Sequence, residues 1–192
     1  MRIIIDAMGG DNAPQEIVKG ALKAKKDLGV ELTLVGKQEE IEAVLRAEKV
    51  ADMPEIVDAR EIITMDDDPS TATRRKKDSS MAVALRLLKE GKGDAVISAG
   101  STGALLTGAT LTVKRVRGIR RAALAPVLPN SGSGCMLIDC GANVECTAEY
   151  LLQFAFMGNF YMKRMHGVNV PRVGLLSNGT EEHKGDTLRH EA

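Results

Sequence analysis

The sequence has no excess charge of either sign: 26 Lys and Arg stand against 26 Asp and Glu. A general nucleic-acid binder, which carries a strongly basic balance, is therefore not expected. No apolar run approaches the roughly 20 residues of a membrane-spanning helix. The N-terminus opens directly into a strand-like segment rather than a basic stretch followed by an apolar one, so no secretion leader is read there. Cysteine is scarce. Cys135, Cys140 and Cys146 are odd in number and form no Cys-x-x-Cys pair, which argues against a zinc site and for reduced, mostly buried thiols. The three histidines, His166, His183 and His190, show neither metal-ligand spacing nor a Ser-His-Asp order. No histidine base, metal or cofactor is expected. Repeats of solenoid period and low-complexity tracts are absent as well.

What is present is a 192-residue chain, 44% hydrophobic, enough for one domain with a sizeable core. Strand-like runs at 2–6, 31–36, 54–57, 94–98, 135–139 and 172–176 alternate with helical patterns at 14–28, 39–48, 79–90, 102–113 and 148–165. Asp78 is a plausible N-cap for the helix at 79–90, and 60–78 reads as polar and irregular. This alternation predicts a three-layer α/β/α domain over 1–192 with a mostly parallel sheet covered on both faces. The pattern at 148–165 is apolar nearly all round, which predicts a buried helix, either interior or at a dimer interface. After Gly185 a helix begins and the sequence stops at Ala192, the layout expected of the N-terminal portion of a longer chain.

In open α/β sheets, ligands bind beyond the carboxyl ends of the strands. Four such junctions carry small or polar residues. At Asp6-Ala7-Met8-Gly9-Gly10-Asp11-Asn12, Gly9 and Gly10 permit close backbone approach to an anion, and Asp6 and Asp11 can orient donors. The same residues also suit an ordinary βα turn. At Ser98-Ala99-Gly100-Ser101-Thr102-Gly103, unpaired N–H groups and the Ser101 and Thr102 hydroxyls suit a phosphate, or simply cap a helix. At Asp139-Cys140-Gly141-Ala142-Asn143, Asn143 either donates to a carbonyl oxygen or stabilises a turn. The polar loop 177–186 holds Lys184 near a helix start, where a lysine can neutralise phosphate or an oxyanion. Two basic clusters stand out, Arg74-Arg75-Lys76-Lys77 and the group Lys114, Arg115, Arg117, Arg120 and Arg121. They are either solvated surface or a docking face for an acidic partner.

With these segments in view, the chain resembles the PlsX family of bacterial phosphate acyltransferases of phospholipid synthesis. The resemblance runs through Asp6 to Pro14, Arg74 to Met81, Ser98 to Leu105, Ala123-Leu124-Ala125-Pro126, Asp139 to Asn143, and Gly179-Thr180-Glu181 followed by Lys184-Gly185. It departs where Ser101-Thr102-Gly103 stands in place of Asn-Thr-Gly, and where Ser177-Asn178-Gly179 does not begin with asparagine. The resemblance implies a fold like isocitrate and isopropylmalate dehydrogenases and phosphate acetyltransferases. It implies transfer of a long acyl chain from acyl carrier protein to inorganic phosphate, and a homodimer in the cytoplasm, peripheral at the inner face of the membrane. It also implies a downstream glycerol-3-phosphate acyltransferase that consumes the acyl phosphate.

On that basis Gly9, Gly10, Ser101, Thr102 and Gly103 are expected to cradle phosphate, and Lys184 to neutralise it or the oxyanion. Asn143 is expected to donate to the thioester carbonyl, with Asp6, Asp11 and Asp139 orienting these donors. Arg74, Arg75, Lys76, Lys77, Arg115, Arg117, Arg120 and Arg121 are expected to receive the acidic carrier protein. The alternatives are a truncated, non-catalytic module that binds phosphate or carrier protein, and phosphate acyl transfer involving coenzyme A. A dinucleotide-dependent dehydrogenase fits poorly, because its G-x-G-x-x-G fingerprint is missing and Gly36-Lys37 follows the second strand where an acid belongs.

Overall fold

In the computed structural model, which describes residues 1–192 apart from Thr180 and Glu182, Arg2–Asp6 forms strand β1. Its isoleucines bury on both sides. Ile3 and Ile5 join Leu32 and Leu34 against one helical layer, while Ile4 joins Val35 against the other. Such continuous burial is the property of a parallel strand covered on two faces. Helix α1 (Gln15–Leu28) ends at Gly29, whose φ of 64° makes the left-handed C-cap. Strand β2 (Glu31–Gly36), helix α2 (Gln38–Ala47) and strand β3 (Glu55–Asp58) follow. After the short helix α3 (Ala72–Arg75) come helix α4 (Ser80–Lys89), strand β4 (Ala95–Ile97) and helix α5 (Thr102–Thr112).

These four strands form one sheet in the order β3-β2-β1-β4, every pair parallel. Val18 and Ala21 of α1 and Ile41, Val44 and Leu45 of α2 cover one face. Val83, Ala84 and Leu87 of α4 cover the other. The fold is thus α/β with a mostly parallel sheet between helical layers. From β1 the chain steps to β2 and then β3 in one direction, while β4 lies on the opposite side of β1. The sheet's topological switch point therefore falls between β1 and β4, the place where α/β sheets open a ligand crevice.

The chain divides into two compact units, Met1–Lys114, just described, and Arg115–Ala192. The second holds a two-residue antiparallel ladder, β5 (Val127–Leu128) with β6 (Cys135–Met136). It also holds the long helix α6 (Ala148–His166), capped by Thr147 and closed by Gly167, and the short helix α7 (Thr187–Glu191).

Several expectations need correction here. The strand read at 135–139 shrinks to β6: Leu137 N–H donates to Pro126 O, but Pro126 has no N–H to return, and Cys140 N–H reaches Leu124 O one residue out of register. The run at 172–176 forms no strand among the described residues, and Val173, Leu175 and Leu176 are exposed. A strand needs a neighbour for its backbone groups, which no local apolar pattern supplies. Helix α6 is not buried all round. Phe154, Gly158 and Met162 face inward at helical spacing, whereas Phe156 and Phe160 are 66% and 68% exposed. The cysteines are not mostly buried either: Cys135 and Cys140 are exposed and Cys146 is intermediate. The N-cap of α4 is Ser79, whose hydroxyl accepts from Ala82 N–H at 3.3 Å, while Asp78 accepts from Arg60 N–H instead. Among the described residues, no helix is long and apolar enough to cross a membrane.

Candidate functional site

At the switch point, the loop after β1 and the loop after β4 touch. Gly9 is where they meet: a Cβ there would lie 2.7 Å from Asp6 Oδ2 and 2.9 Å from both Gly100 N and Ser98 Oγ. Only glycine fits such a backbone approach. Gly10 follows at a φ of 113°, again a glycine conformation. The contact opens a cavity of about 190 Å³, lined by Met8, Gly10 and Asp11 from the first loop, Gly100 and Ser101 from the second, and Ile62, Ile63, Thr64 and Met65 opposite. One wall therefore combines loop backbone with the Ser101 hydroxyl and the Asp11 carboxylate, and the other is largely apolar. A larger groove of about 340 Å³ between the start of α1 and α2 has Glu40 as its charged lining residue and takes no residue from the loop after β4.

The donors can be followed one by one. At the start of α5, Ser101 Oγ accepts from Ala104 N–H at 3.4 Å and caps the helix. Gly100 N–H turns back onto Ser98 Oγ at 3.1 Å. The N–H groups of Ser101, Thr102 and Gly103 meet no acceptor among the described residues. They stand at the positive end of an 11-residue helix. In the first loop, Gly9 N–H bonds to Asp6 O at 3.4 Å, while those of Gly10 and Asp11 likewise meet no acceptor among the described residues. Two rows of free amides, from Gly10-Asp11 and from Ser101-Thr102-Gly103, thus flank the switch point, and such amides bind tetrahedral anions. Gly9 itself serves loop contact more than donation.

Asp6 lies beneath, 1% exposed. Its Oδ2 accepts from Ser98 Oγ at 2.6 Å, and its Oδ1 has no partner among the described residues. Ser98 was not singled out by sequence. Its partner is 92 residues away, and no local pattern signals such a pair.

The outer wall, 62–67, is held by Lys76. Its Nζ donates to Ile62 O at 2.8 Å and to Asp67 Oδ2 at 2.6 Å. Asp67 Oδ2 also accepts from Thr64 N–H at 2.7 Å. The Lys76 hydrogen bond, aided by Thr64, holds the Asp67 carboxyl below its usual range. Of the first basic cluster, Arg74, Arg75 and Lys77 are exposed, while Lys76 is turned inward.

In the second unit, Asp139 gathers donors. It accepts from the N–H groups of Leu124 (2.7 Å), Ala142 (3.2 Å) and Asn143 (2.7 Å), and from Asn143 Nδ2 (3.1 Å). Partial burial works to raise its pKa, but the bonds from Leu124, Asn143 and Ala142 outweigh it, and the carboxyl sits below its usual range. Asn143 Nδ2 donates also to Ala122 O at 2.9 Å. Both amide protons are thus engaged within the protein, the geometry of a turn clasp.

Lys184 is exposed, with its N–H on Glu181 O at 2.9 Å. Thr180 and Glu182 of the same loop lie outside the described residues. In the second basic cluster, Arg115 Nε donates to Ile119 O, Arg120 pairs with Glu149 at 3.2 Å, and Arg121 lies 5.7 Å from the Tyr150 ring centroid. Arg117 is exposed. Structure brings Asp6, Gly9, Gly10, Asp11 and Ser101 together in the first unit, and Asp139 with Asn143 in the second.

Comparison with known proteins gives the chain its family. The family described as "Fatty acid synthesis protein" matches residues 1–192. A phosphate acyltransferase of Clostridium kluyveri is 50% identical over 189 residues, covering 98% of this chain and 57% of that protein. One from Thermoanaerobacter pseudethanolicus is 49% identical over 193 residues, covering 100% and 57%. The chain thus spans a little over half the length of these relatives. Among solved structures, a phosphotransacetylase from Streptococcus pyogenes superposes with a TM-score of 0.64 at 19% identity, over 88% of this chain and 55% of that one. The EutD phosphotransacetylase from Staphylococcus aureus gives 0.70 at 16%, over 100% and 62%. At that identity the likeness is one of fold. The match along all 192 residues, with half of them shared with the Clostridium kluyveri protein, makes this chain a member of the fatty acid synthesis protein (PlsX) family.

Proposed function

We propose that this chain forms the phosphate-binding part of an acyltransferase that moves a fatty acyl group from acyl carrier protein to inorganic phosphate. The product is an acyl phosphate for phospholipid synthesis. The observation that carries this reading is the pair of free-amide rows flanking the switch point, at Gly10-Asp11 and Ser101-Thr102-Gly103. The printed names of the relatives, phosphate acyltransferases, support it.

Chemically, a phosphate oxygen attacks the thioester carbon, a C–O bond forms, and the C–S bond breaks. The electron pair leaves on sulfur. A thiol has a pKa of roughly 8–9, so its thiolate departs without a strong general acid. That leaves the protein two tasks: to hold phosphate in line and to stabilise the tetrahedral oxyanion. The amides hold the phosphate. The cavity lining contains the carboxylate of Asp11 and no cationic side chain, so an anion there needs a cation brought to it. Lys184, in the loop 177–186, is the residue we propose to neutralise phosphate or the oxyanion. Since Asn143 is engaged with Asp139 and Ala122, we assign it to holding the turn, and Asp139 with it. The exposed Arg74, Arg75, Lys77, Arg115, Arg117, Arg120 and Arg121 suit the acidic carrier protein by steering. The exposed Phe156 and Phe160 of α6 support burial against a second copy in a homodimer.

The test supplies palmitoyl carrier protein and phosphate to the full-length protein and follows thiol release. Release that depends on phosphate is expected. Phosphate-independent release, or none, rejects the reading. Palmitoyl-coenzyme A in a parallel arm separates the two acyl donors: faster release from it than from the carrier protein rejects the donor assigned here.

A further inference from the structure

We infer that Ser98 is a positioning residue for the phosphate site, acting as the middle link of a buried relay from Asp6 to the second amide row. This inference rests on the anion-site reading above. Ser98 has one hydroxyl proton, and it goes to Asp6 Oδ2 at 2.6 Å. The hydroxyl oxygen is left as an acceptor, and it takes Gly100 N–H at 3.1 Å. The direction of the relay is therefore fixed: carboxylate, hydroxyl, amide.

Two consequences follow from this polarity. Gly100 N–H is drawn back toward β1, which orients the peptide that leads into Ser101. The free N–H groups of Ser101, Thr102 and Gly103 then follow in a set direction. The relay also touches the first loop, because the missing Gly9 Cβ would collide with Asp6 Oδ2, Ser98 Oγ and Gly100 N together. One hydroxyl thus registers both amide rows against each other. The arrangement is costly for stability alone. Asp6 is 1% exposed, and its Oδ1 has no partner among the described residues. A buried carboxylate so poorly satisfied lowers stability, and a role in orienting the loops accounts for its presence.

The test compares wild type with Ser98→Ala and Ser98→Cys by calorimetric titration with inorganic phosphate. Steady-state measurement of KM for phosphate and for the acyl donor accompanies it. Ser98→Ala is expected to weaken phosphate binding by about tenfold, the worth of one amide donor turned away from the anion. KM for phosphate should rise in step, with KM for the acyl donor unchanged. Ser98→Cys keeps the volume with a weaker donor and is expected to lose about threefold. It tests the same direction of change should the alanine variant fail to fold. Wild-type binding with unchanged affinity in both variants overturns the inference and leaves the phosphate site standing. Equal rises in both KM values also overturn it, because a merely structural defect acts on both. Failure of the wild type to bind phosphate overturns the site and the inference together.

Discussion

The Lys76 ammonium lies 2.6 Å from the Asp67 carboxylate, and the same ammonium holds the Ile62 carbonyl at 2.8 Å. One lysine of a basic run therefore clasps the loop that walls the anion cavity. Replacing Lys76 by methionine is expected to free segment 62–67 and leave the sheet intact. Amide hydrogen exchange checks this: protection should fall in 62–67 and persist in β1 and β2. Unchanged protection in the loop contradicts the clasp.

The clasp also sets a pH dependence. The Lys76 hydrogen bond lowers the folded-state pKa of Asp67, so the contribution is fully present above the unfolded value, about 3.9. It is lost as pH falls through the depressed folded value. Loop protection should therefore hold at pH 5 to 7 and drop below pH 4. Replacement of Lys76 should flatten this profile, and an identical profile in the variant contradicts the assignment.

Glycine substitutions separate the crowded position from the free one. Gly9→Ala forces a methyl against Asp6, Ser98 and Gly100, and such overpacking costs about 1–3 kcal/mol. Gly20 lies within α1 and a Cβ there meets nothing within 4 Å. Gly20→Ala should stabilise by about 0.5–1 kcal/mol through helix propensity. Urea denaturation of the two variants reads both signs, and a neutral Gly9→Ala removes the tight loop contact.

Asp139→Ala strips the acceptor from three backbone N–H groups and from Asn143 Nδ2. A loss of about 1–3 kcal/mol is expected from groups left unpaired. Turnover should fall through lost order of the turn 139–143. Lys184→Ala is the contrasting case. Lys184 is exposed, so its removal should leave the thermal midpoint unchanged and cut turnover by about 10²-fold or more. An unchanged rate removes Lys184 from the mechanism.

Much of the first unit was legible because its signals are local. Three consecutive isoleucines ending in Asp6 announce a buried parallel strand, and Gly9-Gly10 announces a backbone-lined bend. Ser101 caps its helix, one of the two uses its position offered. What escaped was non-local. Nothing in Arg74-Arg75-Lys76-Lys77 says which side chain turns inward, because that depends on Asp67 and Ile62 across a loop. Ser98 reads as one more small residue until the sheet sets it beside Asp6. The run at 172–176 has strand composition, but backbone pairing partners are a property of the fold and not of the run.

The central claim is that free amides on two adjacent loops hold inorganic phosphate at the switch point. Titration of the ¹⁵N-labelled full-length protein with orthophosphate, read as amide shifts, tests it most directly. Saturable shifts are predicted at Gly10, Asp11, Ser101, Thr102 and Gly103, with Gly20 and the α2 amides unmoved. Saturating phosphate that leaves those five amides unshifted contradicts the account.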